Sequence, residues 1–168
     1  MTNTLEPPAA ASQTYTALFN TALNFIDAQT QDPNLPSRMD FDRIRALCSP
    51  GFEHSWGHNY AVSLAPPLQG SHSVDGFISH LQKMLPNLDS WNTDVMDAIV
   101  DEARLRVILR MSLWMQVKGV GEGDAVENDI LWVLDMDGDL EKLRVKKSME
   151  FIDGLAAGRI KELMMRKM

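Results

Sequence analysis

One cysteine, Cys48, in 168 residues excludes an intrachain disulfide and any metal site built on several thiolates. It also points to a reducing compartment, so a cytoplasmic protein is expected. No apolar run approaches the roughly 20 residues needed to cross a bilayer, so no membrane partner is expected. Basic residues are in the minority, 16 Lys and Arg against 23 Asp and Glu for a net charge of −7. That balance argues against nucleic acid or an anionic lipid surface as partner. A glycine-rich phosphate loop, a nucleophile elbow and a dinucleotide fingerprint are all missing, which disfavours hydrolase and redox chemistry. The opening MTNTLEPPAAASQ has neither a basic stretch nor an apolar one. It does not read as a signal peptide, and residues 1–12 are expected to form a flexible lead-in to a single domain over 13–168.

What is present is helices first and strands after. Tyr15, Leu18, Phe19, Ala22, Leu23 and Ile26 share one helical face, with Ser12 or Thr14 as cap and Pro33 and Pro36 as barriers. Ser37-x-x-Asp40 opens a second helix carrying Phe41, Ile44, Leu47 and Cys48, which Pro50-Gly51 ends. Ser73 caps a third, with Val74, Phe77, Ile78, Leu81 and Leu85 on one side and Pro86 as stop. Strands are expected over 53–62, 91–100, 104–117 and 126–136. The third alternates strictly: Leu105, Val107, Leu109, Met111, Leu113, Met115 and Val117 on one face, Arg104, Arg106, Ile108, Arg110, Ser112, Trp114 and Gln116 on the other. Asp135 to Asp139, with Gly138, interrupts two β-branched runs, a strong hairpin signal. A helix over about 155–167 closes the chain. This order predicts an α+β fold, its sheet a mostly antiparallel meander.

Four motifs then fall in a telling order. Arg43-Ile44-Arg45-Ala46-Leu47-Cys48 is followed by His54, and Ser63-Leu64-Ala65-Pro66-Pro67 comes next. Asn128-Asp129-Ile130-Leu131-Trp132 and Glu150-Phe151-Ile152-Asp153 complete the series. Over residues 14–155 the chain resembles the SnoaL-like polyketide cyclases of the nuclear-transport-factor-like superfamily, most closely their fungal branch. The resemblance implies a cone-shaped α+β barrel with N-terminal helices packed on a strongly curved, mostly antiparallel sheet. It implies a cofactor-free isomerase or cyclase, with dehydration as a variant. Its substrate would be a small hydrophobic polycyclic polyketide or meroterpenoid intermediate of fungal secondary metabolism. It also implies a homodimer packed sheet on sheet, and the apolar residues on both faces of 104–117 agree with that. Two departures stand out: Asp129 replaces the usual glutamate, and residues 142–149 are rich in Lys and Arg.

Acid–base chemistry directs the choice of site residues. His54 and His58 lie four apart, so on a strand they share a face, and histidine titrates near neutrality. No third ligand stands at diagnostic spacing beside them, so no metal is expected. Asp129 and Glu150 sit in mostly apolar strands, where desolvation would raise a carboxyl pKa towards a useful value. His54, Asp129 and Glu150 are therefore the catalytic candidates. His58, Trp56, Arg110 and Trp132 are the substrate-binding candidates: two aromatic walls, a second histidine and a guanidinium able to clamp an oxyanion. Asp94 offers Arg110 a structural partner instead, and Trp132 has core packing as its plainer role. His72 and His80 read as loop and helix-surface residues. The competing function is a non-catalytic ligand-binding or dimerisation module on the same fold. Convergence of His54 and the carboxylates on one cavity separates the two.

Overall fold

A computed structural model describes residues 5–166. The element order is α1 (Gln13–Asp27), α2 (Phe41–Leu47), β1 (Cys48–Gly57), α3 (Asn59–Ser63), α4 (Val74–Met84), β2 (Leu88–Asp101), β3 (Arg106–Val117), β4 (Val126–Asp137), β5 (Arg144–Phe151) and α5 (Gly154–Met165). The strands form one curled sheet in the order β1-β5-β4-β3-β2, antiparallel except where β1 runs parallel to β5. The α+β expectation and the cone-shaped, mostly antiparallel sheet hold.

Local chemistry sets the helix starts. Ser12 Oγ accepts from Tyr15 N, Asp40 from Arg43 N, Ser73 from Gly76 N, and Asp153 from Leu155 N and Ala156 N. Each satisfies a first-turn N–H that would otherwise lack a partner. Strict alternation along β3 sends Val107, Leu109, Met111, Met115 and Val117 into the core against Leu18, Phe25, Ile44 and Phe77. The hairpin between β4 and β5 turns at Gly138, whose φ of +104° and whose 2.9 Å approach to the Lys142 carbonyl both demand glycine.

One strand begins earlier than expected. β1 starts at Cys48, and Pro50-Gly51 lies inside it as an irregularity in register between Cys48 and Glu53. An edge strand tolerates a proline because the missing N–H removes no ladder bond, and Gly51 takes a φ of +79°. The same strand ends at Gly57, and residues 59–63 turn helical instead of extending the strand to 62. His58 becomes the N-cap residue of that turn, so the expected shared face with His54 is lost. No helix among the described residues is long and apolar enough to cross a membrane.

Candidate active site

Two adjacent strands build the site. In the parallel register, His54 of β1 sits beside Ser148 of β5, and Trp56 beside Glu150. Positions two apart share a face, so all four side chains point inward. Each lateral pair closes a hydrogen bond. His54 Nδ1 lies 3.0 Å from Ser148 Oγ, and Trp56 Nε1 donates to Glu150 Oε2 at 2.9 Å. From β4, Trp132 Nε1 donates to Ser148 Oγ at 2.5 Å.

That chain of donors assigns the histidine tautomer. Indole N–H is a donor only, so Ser148 Oγ accepts from Trp132 and has its own hydrogen free. His54 Nδ1 is the one other partner of that hydroxyl among the described residues, so the hydroxyl donates to it. The proton of the neutral ring then resides on Nε2. Among the described residues Nε2 has no hydrogen-bond partner, and it lies 3.8 Å from Glu150 Oε2, pointing a dipole at the carboxyl without bonding it. His54 is fully buried, enclosed by Phe77, Trp56 and Trp132 at ring-centroid distances of 4.2, 4.3 and 6.1 Å.

Burial drives the two titrating groups apart from their usual values. Desolvation lowers the His54 pKa to about 3, and positive charge on His72 and His80 would lower it further. Desolvation raises the Glu150 pKa to about 7, with the Trp56 N–H pulling weakly the other way. Near neutrality, therefore, the histidine is an uncharged donor and the carboxyl is poised between its two states. Of the two, Glu150 is the one suited to move protons.

Glu150 stands in the wall of a cavity of about 690 Å³, lined mainly by apolar groups, among them Trp56, Trp91, Met111, Met115 and Trp132. Asn128 contributes the nearest thing to a second polar anchor. Its Oδ1 accepts from Asp153 N at 2.9 Å, and among the described residues Nδ2 has no partner. His80 also lines the cavity, 4.8 Å from the Trp56 ring, and is not the helix-surface residue expected. Phe77, His80, Leu81 and Met84 repeat at helical spacing, and that spacing is the signal that places it inward. His72 is likewise drawn in: its backbone exchanges both hydrogen bonds with His54, each 2.8 Å, and its ring lies 5.1 Å from Trp56. Ser148 carries no sequence signal beyond its inward parity, and Asn128 adds to that parity only its place at the head of the Asn128–Trp132 motif.

The remaining candidates lie on the other face of the sheet. Asp129 and Arg110 form a bidentate pair there, at 3.2 and 2.8 Å. Arg110 holds the Asp129 carboxyl below its ordinary value, opposite to the rise expected from burial. Asp94 is therefore not the partner of Arg110 in this fold. His58 rests edge-on to Phe151 at 5.3 Å and, with Arg110 and Asp129, lines a shallow cleft separate from the cavity. His54, Glu150, Trp56 and Trp132 come together; Asp129, Arg110 and His58 do not join them. Among the described residues no group of three or more His, Cys, Asp or Glu is arranged to hold a metal ion.

No protein-family model matches the chain, and no curated protein matches it in sequence. Solved structures do. BvnE pinacolase from Penicillium brevicompactum superposes with a TM-score of 0.69 at 13% identity, over 90% of this chain and 96% of that one. PrhC from Penicillium brasilianum gives 0.69 at 15% identity, over 93% and 92%. An NTF2-like protein of unknown function from Burkholderia pseudomallei gives 0.64 at 12% identity, over 86% and 96%. The chain shares their fold.

Proposed function

We propose that the protein is a cofactor-independent isomerase or cyclase that rearranges an apolar polycyclic polyketide or meroterpenoid intermediate of secondary metabolism, with Glu150 as its proton carrier. The observation that carries the reading is a lone inward carboxyl, poised near neutrality, in the wall of a mainly apolar cavity. The pinacolase of the same fold adds support, since it is named for a rearrangement.

The chemistry follows from the geometry. As a neutral acid, Glu150 donates a proton to a substrate oxygen or carbon. The carboxylate left behind is held by the Trp56 N–H on Oε2, while the His54 Nε2–H dipole lies 3.8 Å from the same atom. Both donors are fixed before the reaction and favour the charged state that develops during it. The carboxylate then takes a proton from a carbon next to a carbonyl, returning Glu150 to its starting form. Asn128 Nδ2 supplies a donor for a substrate oxygen on the adjacent strand. His54 is a positioning residue in this scheme, because a ring titrating at about 3 takes up no proton near pH 7.

The decisive experiment is pathway reconstitution in a heterologous host with wild type or Glu150→Gln, followed by product analysis. Wild type is expected to convert an intermediate into an isomer, or its dehydrated form, carrying solvent deuterium, and dialysis against a chelator should leave that unchanged. Glu150→Gln should lose roughly a hundred- to ten-thousand-fold in rate, the usual cost of removing a positioned acid or base. Near-normal turnover by Glu150→Gln would leave a shape-only pocket or a binding module. The reading includes a homodimer through the outer sheet face, where Ile99, Trp114, Leu131 and Met149 are 60, 41, 48 and 36% exposed in the isolated chain.

A further inference from the structure

Charge on the cavity lining is unevenly placed. Its ionisable residues are Glu150, His80, Lys83 and Lys161, and of these only the two lysines are exposed. Lys83 lies in the last turn of α4 and Lys161 on α5, so two different helices each contribute one exposed lysine to the lining. Among the described residues no carboxylate other than Glu150 lines the cavity. Neither lysine has an acidic partner among the described residues, although this chain carries seven more acidic than basic side chains. Acidic groups on the same two helices are engaged elsewhere: Glu162, next to Lys161 in sequence, pairs with Arg159 and Arg166, and Asp75 in the first turn of α4 pairs with Arg45. Lys83 also suits the negative end of the α4 dipole, but that gives no reason for the matching lysine on α5.

From this arrangement we infer that the ligand of the cavity is an amphiphile, its apolar ring system inside and an anionic group such as a carboxylate bound at the opening by Lys83 and Lys161. An ammonium on a flexible four-carbon stem reaches over apolar lining to a point charge. An anion on an uncharged scaffold would thus enter in one orientation, apolar end towards Glu150. The inference deepens the reading of this cavity as the active site and names the class of substrate it takes.

Two fluorescent probes with one ring skeleton isolate the charge: anilinonaphthalene sulfonate and its uncharged parent, N-phenylnaphthylamine. Titration of wild type, Lys83→Met, Lys161→Met and the double variant should show sulfonate affinity falling roughly two- to fivefold per lysine, the range of a partly exposed ion contact. The parent compound should bind all four alike, and added salt should weaken the sulfonate alone. Repeating the titration on Glu150→Gln separates the two readings, because the lysine effect should persist there even if Glu150 moves no proton. Equal affinity of the sulfonate for wild type and the double variant would overturn the anionic subsite. So would a parallel loss of both probes, or binding of neither by wild type.

Discussion

Replacing Glu150 by glutamine should convert an opposed pair of titrations into a visible pH dependence of stability. The Glu150 carboxyl moves from 4.5 to about 7 on folding. At about 1.4 kcal/mol per pH unit, this is roughly 3 kcal/mol. The folded pKa is the higher one, so the contribution is fully present below pH 4.5 and is lost as pH rises through 7. His54 has the opposite sign: its pKa falls from 6.5 to about 3, so its contribution is present above 6.5 and is lost as pH falls towards 3. Between 4.5 and 6.5 the two slopes cancel in the wild type. Glutamine keeps the shape and can still accept from Trp56 but does not titrate. The variant should therefore gain roughly 3 kcal/mol relative to wild type between pH 4.5 and 8, and its stability should rise visibly up to pH 6.5. Urea unfolding followed by tryptophan fluorescence across that range measures both curves. An infrared carbonyl band of a protonated carboxyl, present at pH 6 and absent in Glu150→Gln, gives an independent check. A wild-type-to-variant difference that stays flat with pH would show a carboxyl titrating as it does in water, and the proton-carrier assignment would go with it.

Light scattering at micromolar concentration should give twice the chain mass, and Leu131→Lys, placing a charge in the outer apolar face, should shift it towards monomer. Ser148→Ala leaves the buried Trp132 N–H without an acceptor and His54 Nδ1 without a donor; unfolding in urea should record a loss of about 2 kcal/mol. Gly57→Ala aims a methyl straight into the Phe151 ring beside it, and thermal melting should show about 1–3 kcal/mol of destabilisation.

Much of the architecture is legible in the sequence because periodicity and capping are local. β3 keeps Val107, Leu109, Met111, Met115 and Val117 on the inner face expected, its buried-exposed alternation interrupted only around Ser112 and Leu113. Ser12 and Ser73 cap as their positions suggest, whereas the second helix is capped by Asp40 and not by Ser37 of the expected capping box, whose hydroxyl donates to the Met39 carbonyl instead. β1 departs from expectation at both ends, and the cause at its start is not local. Whether Pro50-Gly51 stops a segment or sits in it depends on the strand lying at a sheet edge, and pairing alone decides that. The buried polar groups behind the cavity wall share the handicap: Ser148 matters because it stands beside His54, 94 residues away in sequence.

The choice between Asn128 and Asp129 shows how far a single strand rule reaches. Trp132 and Asp129 are three apart, and side chains three apart on a strand occupy opposite faces. Strand alternation by itself therefore forbids both from lining one cavity. Parity from Trp132 selects Ile130 and Asn128 for the inside, and both are buried. It leaves Asp129 outside, one step from the cavity and on the wrong side of the sheet, where Arg110 neutralises it directly. Glu150 passes the same test, because β5 pairs it with Trp132 across the ladder and with Trp56 on the other flank. The inward carboxyl is thus selected by register. Register also explains why this carboxyl is dry: two indoles flank it, one donating to it and the other to the serine that holds His54. An aspartate on the outer face, paired with a guanidinium and open to water, has neither the walls nor the neighbours to titrate near neutrality.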